Sequence, residues 1–305
     1  MVIMALLNIL LTLPLLLELR VHAIPLGEPS PSGGLAGDPI WSYEGNNGPA
    51  FWREVFPTCG GKNQSPVDLS KVNATYQLSR QPIVFKRYDT SPPDMTVKNN
   101  GHTVVASWTT KDMKKLPFIS GGGLEGKYVF SNFHFHWGSD DSKGSEHTFD
   151  GDRFAAELHL VHFKEDYGTL EKALKHKDGL AVLGVMIEAE ESDNESLQPF
   201  VETLEEVIEL GTEFHPDDKI PLSALLPEEE DRHFFFRYQG SLTTPTCNEV
   251  VTWTVFQKPI ALSSSQLDKF RSLIGHDGLH PLQDNFRPVQ PLNDREVTFI
   301  ETGVL

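Results

Sequence analysis

The stretch Asn132-Phe133-His134-Phe135-His136-Trp137-Gly138 bears on fold and chemistry together. Along a strand, alternate side chains share a face. Asn132, His134 and His136 then point one way, and Phe133, Phe135 and Trp137 point the other way, into a core. Two imidazoles spaced so on one face can reach a single ion. On a helix of 3.6 residues per turn they would stand about 200° apart and could not. A lone His-x-His is also an ordinary feature of surface strands and hydrogen-bonded cores, so this stretch needs a partner elsewhere in the chain.

A second strand-like run supplies one. In Ala155-Ala156-Glu157-Leu158-His159-Leu160-Val161-His162-Phe163, one face holds Glu157, His159 and Val161, and the other holds Leu158, Leu160 and His162. His134, His136 and His159 are therefore candidate ligands of one zinc ion. Three histidines leave a fourth tetrahedral position open, which is the arrangement of a catalytic rather than a structural site. Glu157 is not placed to bind the same ion, but it can accept the second N–H of a ligand imidazole. His162 points away and reads as a hydrogen-bonded core histidine. Gly144-Ser145-Glu146-His147-Thr148 and Ser241-Leu242-Thr243-Thr244-Pro245-Thr246-Cys247, taken singly, are ordinary loops.

Outward from these runs, strand signals dominate. Val104–Trp108, Tyr128–Trp137, Phe154–Phe163, Leu180–Ile187 and Val250–Phe256 are β-branched, aromatic or alternating. Helical signals are few: Leu197–Leu210 has an apolar stripe, and Ser263–Ile274 opens on serines and ends at Gly275. The fold class is mainly β (α+β). With 305 residues, 39% hydrophobic and 23% charged, the composition is that of a soluble globular protein. The net charge of -17 argues against nucleic-acid binding, which needs clustered Lys and Arg, and serves solubility.

The N-terminus reads as a targeting segment. Met1–Leu17 is apolar and leucine-rich, Glu18 and Arg20 break it, and Val21-His22-Ala23 suits signal peptidase. The expected division is a signal peptide at 1–23, a flexible Pro/Gly/Ser leader at 24–37, one domain at 38–298 and a tail at 299–305. The mature chain is expected to lack a transmembrane span, and the protein to be secreted. Two cysteines, Cys59 and Cys247, form an even set that suggests a disulfide in a secreted chain, with two buried thiols as the alternative. Asn73-Ala74-Thr75 and Asn194-Glu195-Ser196 are glycosylation sequons; Asn63-Gln64-Ser65 is a third, disfavoured by Pro66.

Together these segments resemble the α-class carbonic anhydrases of the secreted type, over almost the whole domain. The resemblance is carried by Trp41-Ser42-Tyr43-Glu44-Gly45-Asn46-Asn47-Gly48-Pro49, Asn63-Gln64-Ser65-Pro66-Val67-Asp68, Asn99-Asn100-Gly101-His102 and the Phe-His-Phe-His-Trp-Gly run. It continues through Gly144–Thr148, Ala156–His162, Asp178-Gly179-Leu180-Ala181-Val182-Leu183-Gly184, Ser241-Leu242-Thr243-Thr244-Pro245 and Asn285-Phe286-Arg287-Pro288. It implies a single domain on a large twisted, mostly antiparallel central sheet with short peripheral helices. It implies a lyase, carbonate dehydratase, for the reversible hydration of carbon dioxide to bicarbonate and a proton. It further implies attack by zinc-bound hydroxide and histidine proton shuttling.

By the same resemblance His134, His136 and His159 match the zinc ligands, and Glu157, Asn132 and Asn285 their supports. Thr243 matches the threonine that orients the nucleophile, with Glu146 as its carboxylate partner. An ionised carboxylate only accepts, so the threonine O–H donates to it and the threonine oxygen accepts from the nucleophile. Val161, Val182, Leu242, Thr244 and Trp253 match the substrate pocket. His102 matches the proton shuttle, and Tyr43 and Asn100 match polar groups along the proton path. Cys59 and Cys247 match the disulfide of secreted members. The implied partners are carbon dioxide, bicarbonate and water, with sulfonamides or anions as inhibitors. Two positions depart from the pattern: Asn132 replaces a glutamine of the better-known members, and Val105 replaces a residue that is polar in many. Other readings are an inactive binding domain of the same fold, which would have lost a ligand histidine, and an acidic matrix protein, which would carry low-complexity repeats. A third is a zinc hydrolase, whose His-Glu-x-x-His pattern is absent.

Overall fold

Runs of β-branched and aromatic residues fit a pleated, half-buried surface, and they set the architecture here. The computed structural model describes residues 41–303 except 109 and 111; the expected signal peptide and leader lie outside the described residues. In chain order the strands are β1 (Asp68–Leu69), β2 (Thr75–Ser79), β3 (Ile83–Lys86), β4 (Met95–Asn99), β5 (Val104–Trp108), β6 (Phe118–Gly121), β7 (Leu124–Trp137) and β8 (Thr148–Phe149). There follow β9 (Ala156–Lys164), β10 (Leu180–Glu190), β11 (Glu213–Phe214), β12 (Phe234–Gly240), β13 (Val251–Phe256), β14 (Ile260–Ser263) and β15 (Thr298–Thr302). The α-helices are short: α1 (Trp52–Val55), α2 (Leu170–Ala173), α3 (Gln198–Thr203) and α4 (Ser264–Arg271).

Thirteen strands form one sheet in the order β11-β4-β5-β7-β9-β10-β13-β12-β15-β2, with β14 beside β10 and the β3–β6 pair joined to β7. Most neighbours are antiparallel; β10–β13, β10–β14 and β15–β2 are parallel. The central strands are therefore the ones that carry the candidate ligands. Val105 sits opposite His134, and His134 sits opposite His159.

The alternation read from Tyr128 to Trp137 is interrupted once. The β7–β9 register shifts between Phe130 and Asn132, leaving Ser131 as an extra residue. A bulge of this kind swaps the faces of the residues on its two sides. Phe130 thus joins the same core as Phe133, Phe135 and Trp137, while Asn132, at even spacing from Phe130, faces the site with His134. Phe200 of α3 stacks on Phe135, and Phe270 of α4 packs against it at a tilt, so both helices cover that core. Full burial of each phenylalanine contributes roughly 1.5–3 kcal/mol. The opposite face of the sheet buries Val161, Val182, Trp253 and Val255 in a second cluster.

Two helical expectations are only partly met. The apolar stripe from Leu197 to Leu210 is α3 followed by a 3-10 turn at Leu204–Val207. The Thr203 hydroxyl donates to Phe200 O at 2.6 Å where the helix tightens. Helix α4 has the expected serine cap, a capping box between Ser263 and Gln266, but it stops at Arg271. Beyond it the Ile274 N–H bonds Ile208 O at 2.8 Å instead of continuing the helix. At the C-terminal end, β15 lies between β12 and β2, so residues assigned to a tail complete the sheet.

Candidate metal centre

The three imidazoles converge because β7 and β9 present them from adjacent strands. Their ring centroids lie 5.3 Å (His134–His136), 5.3 Å (His134–His159) and 4.7 Å (His136–His159) apart. Each ring has one nitrogen committed to an acceptor. His134 Nδ1–H donates to Asn132 Oδ1 at 3.2 Å, and His136 Nδ1–H donates to Asn285 O at 2.8 Å. His159 Nε2–H donates to Glu157 Oε1 at 2.8 Å. The remaining nitrogens, His134 Nε2, His136 Nε2 and His159 Nδ1, are lone-pair donors. One nitrogen of each ring lies within 4.8 Å of one from each of the others. His136 Nε2 is buried and has no hydrogen-bond partner among the described residues. Burial and the neighbouring imidazoles hold His134 well below the usual histidine range, and burial lowers His136 likewise. Neutral imidazoles with free lone pairs are what a tetrahedral divalent zinc ion requires, so the donor set fits that ion.

Glu157 anchors the arrangement. Its Oε2 accepts from the backbone N–H groups of Glu146 and His147, both at 2.8 Å. Its Oε1 accepts from His159 and from His147 Nδ1–H at 2.7 Å. Burial would raise this carboxyl, but His147 and His159 outweigh it and hold it well below the usual carboxylate range. Gly184, opposite His159 in the β9–β10 register, makes room: a Cβ there would lie 3.1 Å from Glu157 Oε1. His147 received no role from the sequence. Its second ring nitrogen lies 2.6 Å from Tyr238 Oη, which bonds Ser65 Oγ at 2.9 Å, and Ser65 Oγ accepts the Ser241 N–H at 3.0 Å. That path ties the ligand support to the loop carrying Thr243.

Asn132 reaches its histidine despite being one methylene shorter than glutamine, at a longer distance than the other two supports. Asn285 does more than bond His136: its Oδ1 accepts the Trp137 N–H at 2.7 Å and its Nδ2 donates to His102 O at 3.0 Å. Glu146 is fully buried; its Oε1 accepts the Arg287 N–H at 2.8 Å, and its Oε2 lies 3.4 Å from His136 Nε2. That Oε2 has no hydrogen-bond partner among the described residues, so the Thr243–Glu146 bond is not formed in this structure.

Thr243 lines the pocket beside the three histidines, as do Thr244, Leu242, Val161, Val182 and Trp253. Leu170, Leu174 and Leu180 extend the apolar wall and were missed; the helical spacing of Leu170 and Leu174 around α2 is the signal that points to a shared face. Tyr43 and His102 also line the pocket. Asn100 instead shapes the turn, its Oδ1 accepting the N–H groups of His102 and Thr103, both at 2.9 Å. Val105 is half-buried on β5 and is not among the residues lining the pocket.

Cys59 and Cys247 are joined in a disulfide across a sequence separation of 188, with Cα atoms 4.9 Å apart. The Cys247 N–H donates to Thr244 O at 2.7 Å, and Arg287 Nη2 donates to Cys59 O at 2.9 Å. The bridge therefore braces the Thr243–Thr244 loop. Of the sequons, Asn73 is exposed. Asn194 is half-buried, and its Nδ2 donates to Ala261 O at 2.9 Å. No described helix is long and apolar enough to cross a membrane.

The family model "Eukaryotic-type carbonic anhydrase" matches residues 47–301. Carbonic anhydrase 3 of Homo sapiens is 40% identical over 260 residues, covering 84% of this chain and 96% of the relative. Carbonic anhydrase 15 of Mus musculus is 37% identical over 269 residues, covering 85% of this chain and 82% of the relative. Carbonic anhydrase 3 of Rattus norvegicus is 38% identical over 260 residues, covering 84% and 96%. The chain belongs to the eukaryotic-type carbonic anhydrase family, and is an enzyme of the carbonate dehydratase class of lyases.

Proposed function

We propose that this protein hydrates carbon dioxide reversibly to bicarbonate and a proton, using a zinc ion held by His134 Nε2, His136 Nε2 and His159 Nδ1. The observation that carries the reading is the pairing of each imidazole with an acceptor on its far side, which leaves three nitrogens free on the near side. A zinc ion on three histidines supplies a water that ionises near neutral pH.

The chain's own residues do the rest. Glu157, ionised and fully bonded, fixes the tautomer and tilt of His159. Glu146, with Oε1 taken by the Arg287 N–H, has Oε2 left as an acceptor; a Thr243 hydroxyl donating to it, a bond not formed in this structure, would turn the Thr243 lone pairs toward the attacking oxygen. Val161, Val182, Leu242 and Trp253, with Leu170, Leu174 and Leu180, give an apolar substrate an apolar wall. Each turnover leaves one proton to be removed after bicarbonate departs, and His102 at the pocket wall accepts it. The disulfide and the apolar N-terminal run support an extracellular location.

Stopped-flow hydration of carbon dioxide tests this directly. The expected result is activity that is lost on zinc chelation and on addition of an aromatic sulfonamide. Zinc-loaded protein without sulfonamide-sensitive hydration would overturn the reading.

A further inference from the structure

A proton on His102 needs somewhere to go. The His102 ring is stacked on Trp41, with centroids 3.8 Å apart and planes 11° apart, and its Nδ1 is buried with no hydrogen-bond partner among the described residues. A second imidazole, His276, lies parallel to it at 5.9 Å and 8°. His276 is exposed. Its position is fixed by close packing rather than by chance on a loose loop. Gly101 has φ +84, and a Cβ there would come within 2.9 Å of His276 Cα, so only glycine lets the two turns meet. Asn99 Nδ2 donates to Ile208 O and Ile274 O, both at 2.9 Å, which ties the base of the His276 loop to the end of β4. Within the loop, Asp277 Oδ1 accepts the N–H groups of Leu279 and His280 at 2.9 and 3.0 Å, and His280 Nδ1–H donates to Asp277 Oδ2 at 2.5 Å.

We propose that His276 is the outward proton acceptor for this site, taking the proton from His102 by way of water and handing it to solvent. The proposal rests on the hydration reading above. The balance is simple: the His102 imidazolium loses one proton, the His276 imidazole gains it, and a buffer base or water then removes it. The parallel rings place an exposed imidazole beside the His102 ring, on the side of the solvent. Burial, and secondarily the charge of His276, lowers His102 to about 4. The charged groups around the relay are Asp277 and His280 on the same loop, Glu44, whose charge acts on His280, and Glu209 on the neighbouring segment. Asp277, and more weakly Glu44, raise His280.

Two measurements on the full-length, zinc-loaded protein test the relay. Proton export follows bicarbonate release, so it limits kcat and leaves kcat/KM alone. His276→Ala is expected to lower kcat several-fold in weak buffer with kcat/KM unchanged, and added imidazole is expected to restore kcat. Unchanged kcat in weak buffer, or kcat and kcat/KM falling together, would overturn the relay while an active wild type leaves the hydration reading standing. The second readout does not use turnover: in NMR titrations of the histidines, His276→Ala is expected to raise the His102 midpoint. An unmoved midpoint overturns the coupling.

Discussion

Glu157 shows how one residue can hold a site. Four donors meet its two oxygens, and two of them are on the histidines His147 and His159. Replacing it by Gln keeps the shape but turns one acceptor into a donor facing donors. Groups of this kind are worth 10–100-fold in metal affinity, on the order expected for a ligand support. Asn132 supports His134 by one longer bond at 3.2 Å and makes no comparable network. Glu157→Gln is therefore expected to weaken zinc binding by about 10–100-fold, and Asn132→Ala by clearly less. Competition against a chromophoric chelator measures both; an equal or reversed order would show that the Glu157 network does not set affinity.

At the scale of elements, β7 carries the decisive local feature. Period-two reading put His134 and His136 on one face and the phenylalanines on the other, and the strands do this because that face of the sheet opens into the pocket. The extra residue Ser131 was not legible, since a bulge is defined by what β9 does opposite and not by the residues of β7 alone. Deleting Ser131 forces a choice: either Phe130 and the residues before it turn into the wrong layer, or the histidines do. The deletion is expected to abolish stoichiometric zinc binding and lower Tm markedly, read by metal analysis and thermal unfolding; full zinc occupancy with an unchanged Tm would contradict this account of β7. Other parts of the fold were hidden for the same reason. The parallel pairing of β15 with β2 joins chain segments far apart, and nothing in Thr298–Thr302 alone announces a partner near residue 75. Leu170, Leu174 and Leu180 look like core residues in the sequence and become pocket wall because α2 packs against β9 beside the histidines. His147 stood beside a recognised glutamate, yet its role depends on Tyr238 and Ser65 reaching it from other strands. What was legible was local alternation and residue chemistry; what was not was cross-strand geometry.

For the whole molecule, buried histidines set how the fold meets acid. His162 is completely buried between Tyr88 Oη, which bonds its Nε2, and Ala181 O, which accepts from its Nδ1 at 3.2 Å. Burial lowers it to about 3, against the opposing pull of its backbone bonds. The folded value lies below that of the unfolded chain, about 6.5 for an exposed histidine. Between those two values the unfolded state binds the proton and the folded state does not. His162 therefore leaves stability intact above about pH 6.5 and erodes it as pH falls toward its folded value, by up to about 1.4 kcal/mol per pH unit. Protonation also reduces the net charge of -17, which eases self-repulsion and works the other way. A comparison of variants cancels that global term. His162→Gln keeps a polar atom for Tyr88 but cannot titrate. In urea unfolding of the zinc-loaded protein, the midpoint of the wild type is expected to drop more steeply than that of His162→Gln between about pH 6.5 and pH 4.5, with the two slopes alike above that window. Identical slopes throughout would mean that His162 takes up its proton alike in the folded and unfolded states and that its two hydrogen bonds, rather than its neutrality, are what the core requires.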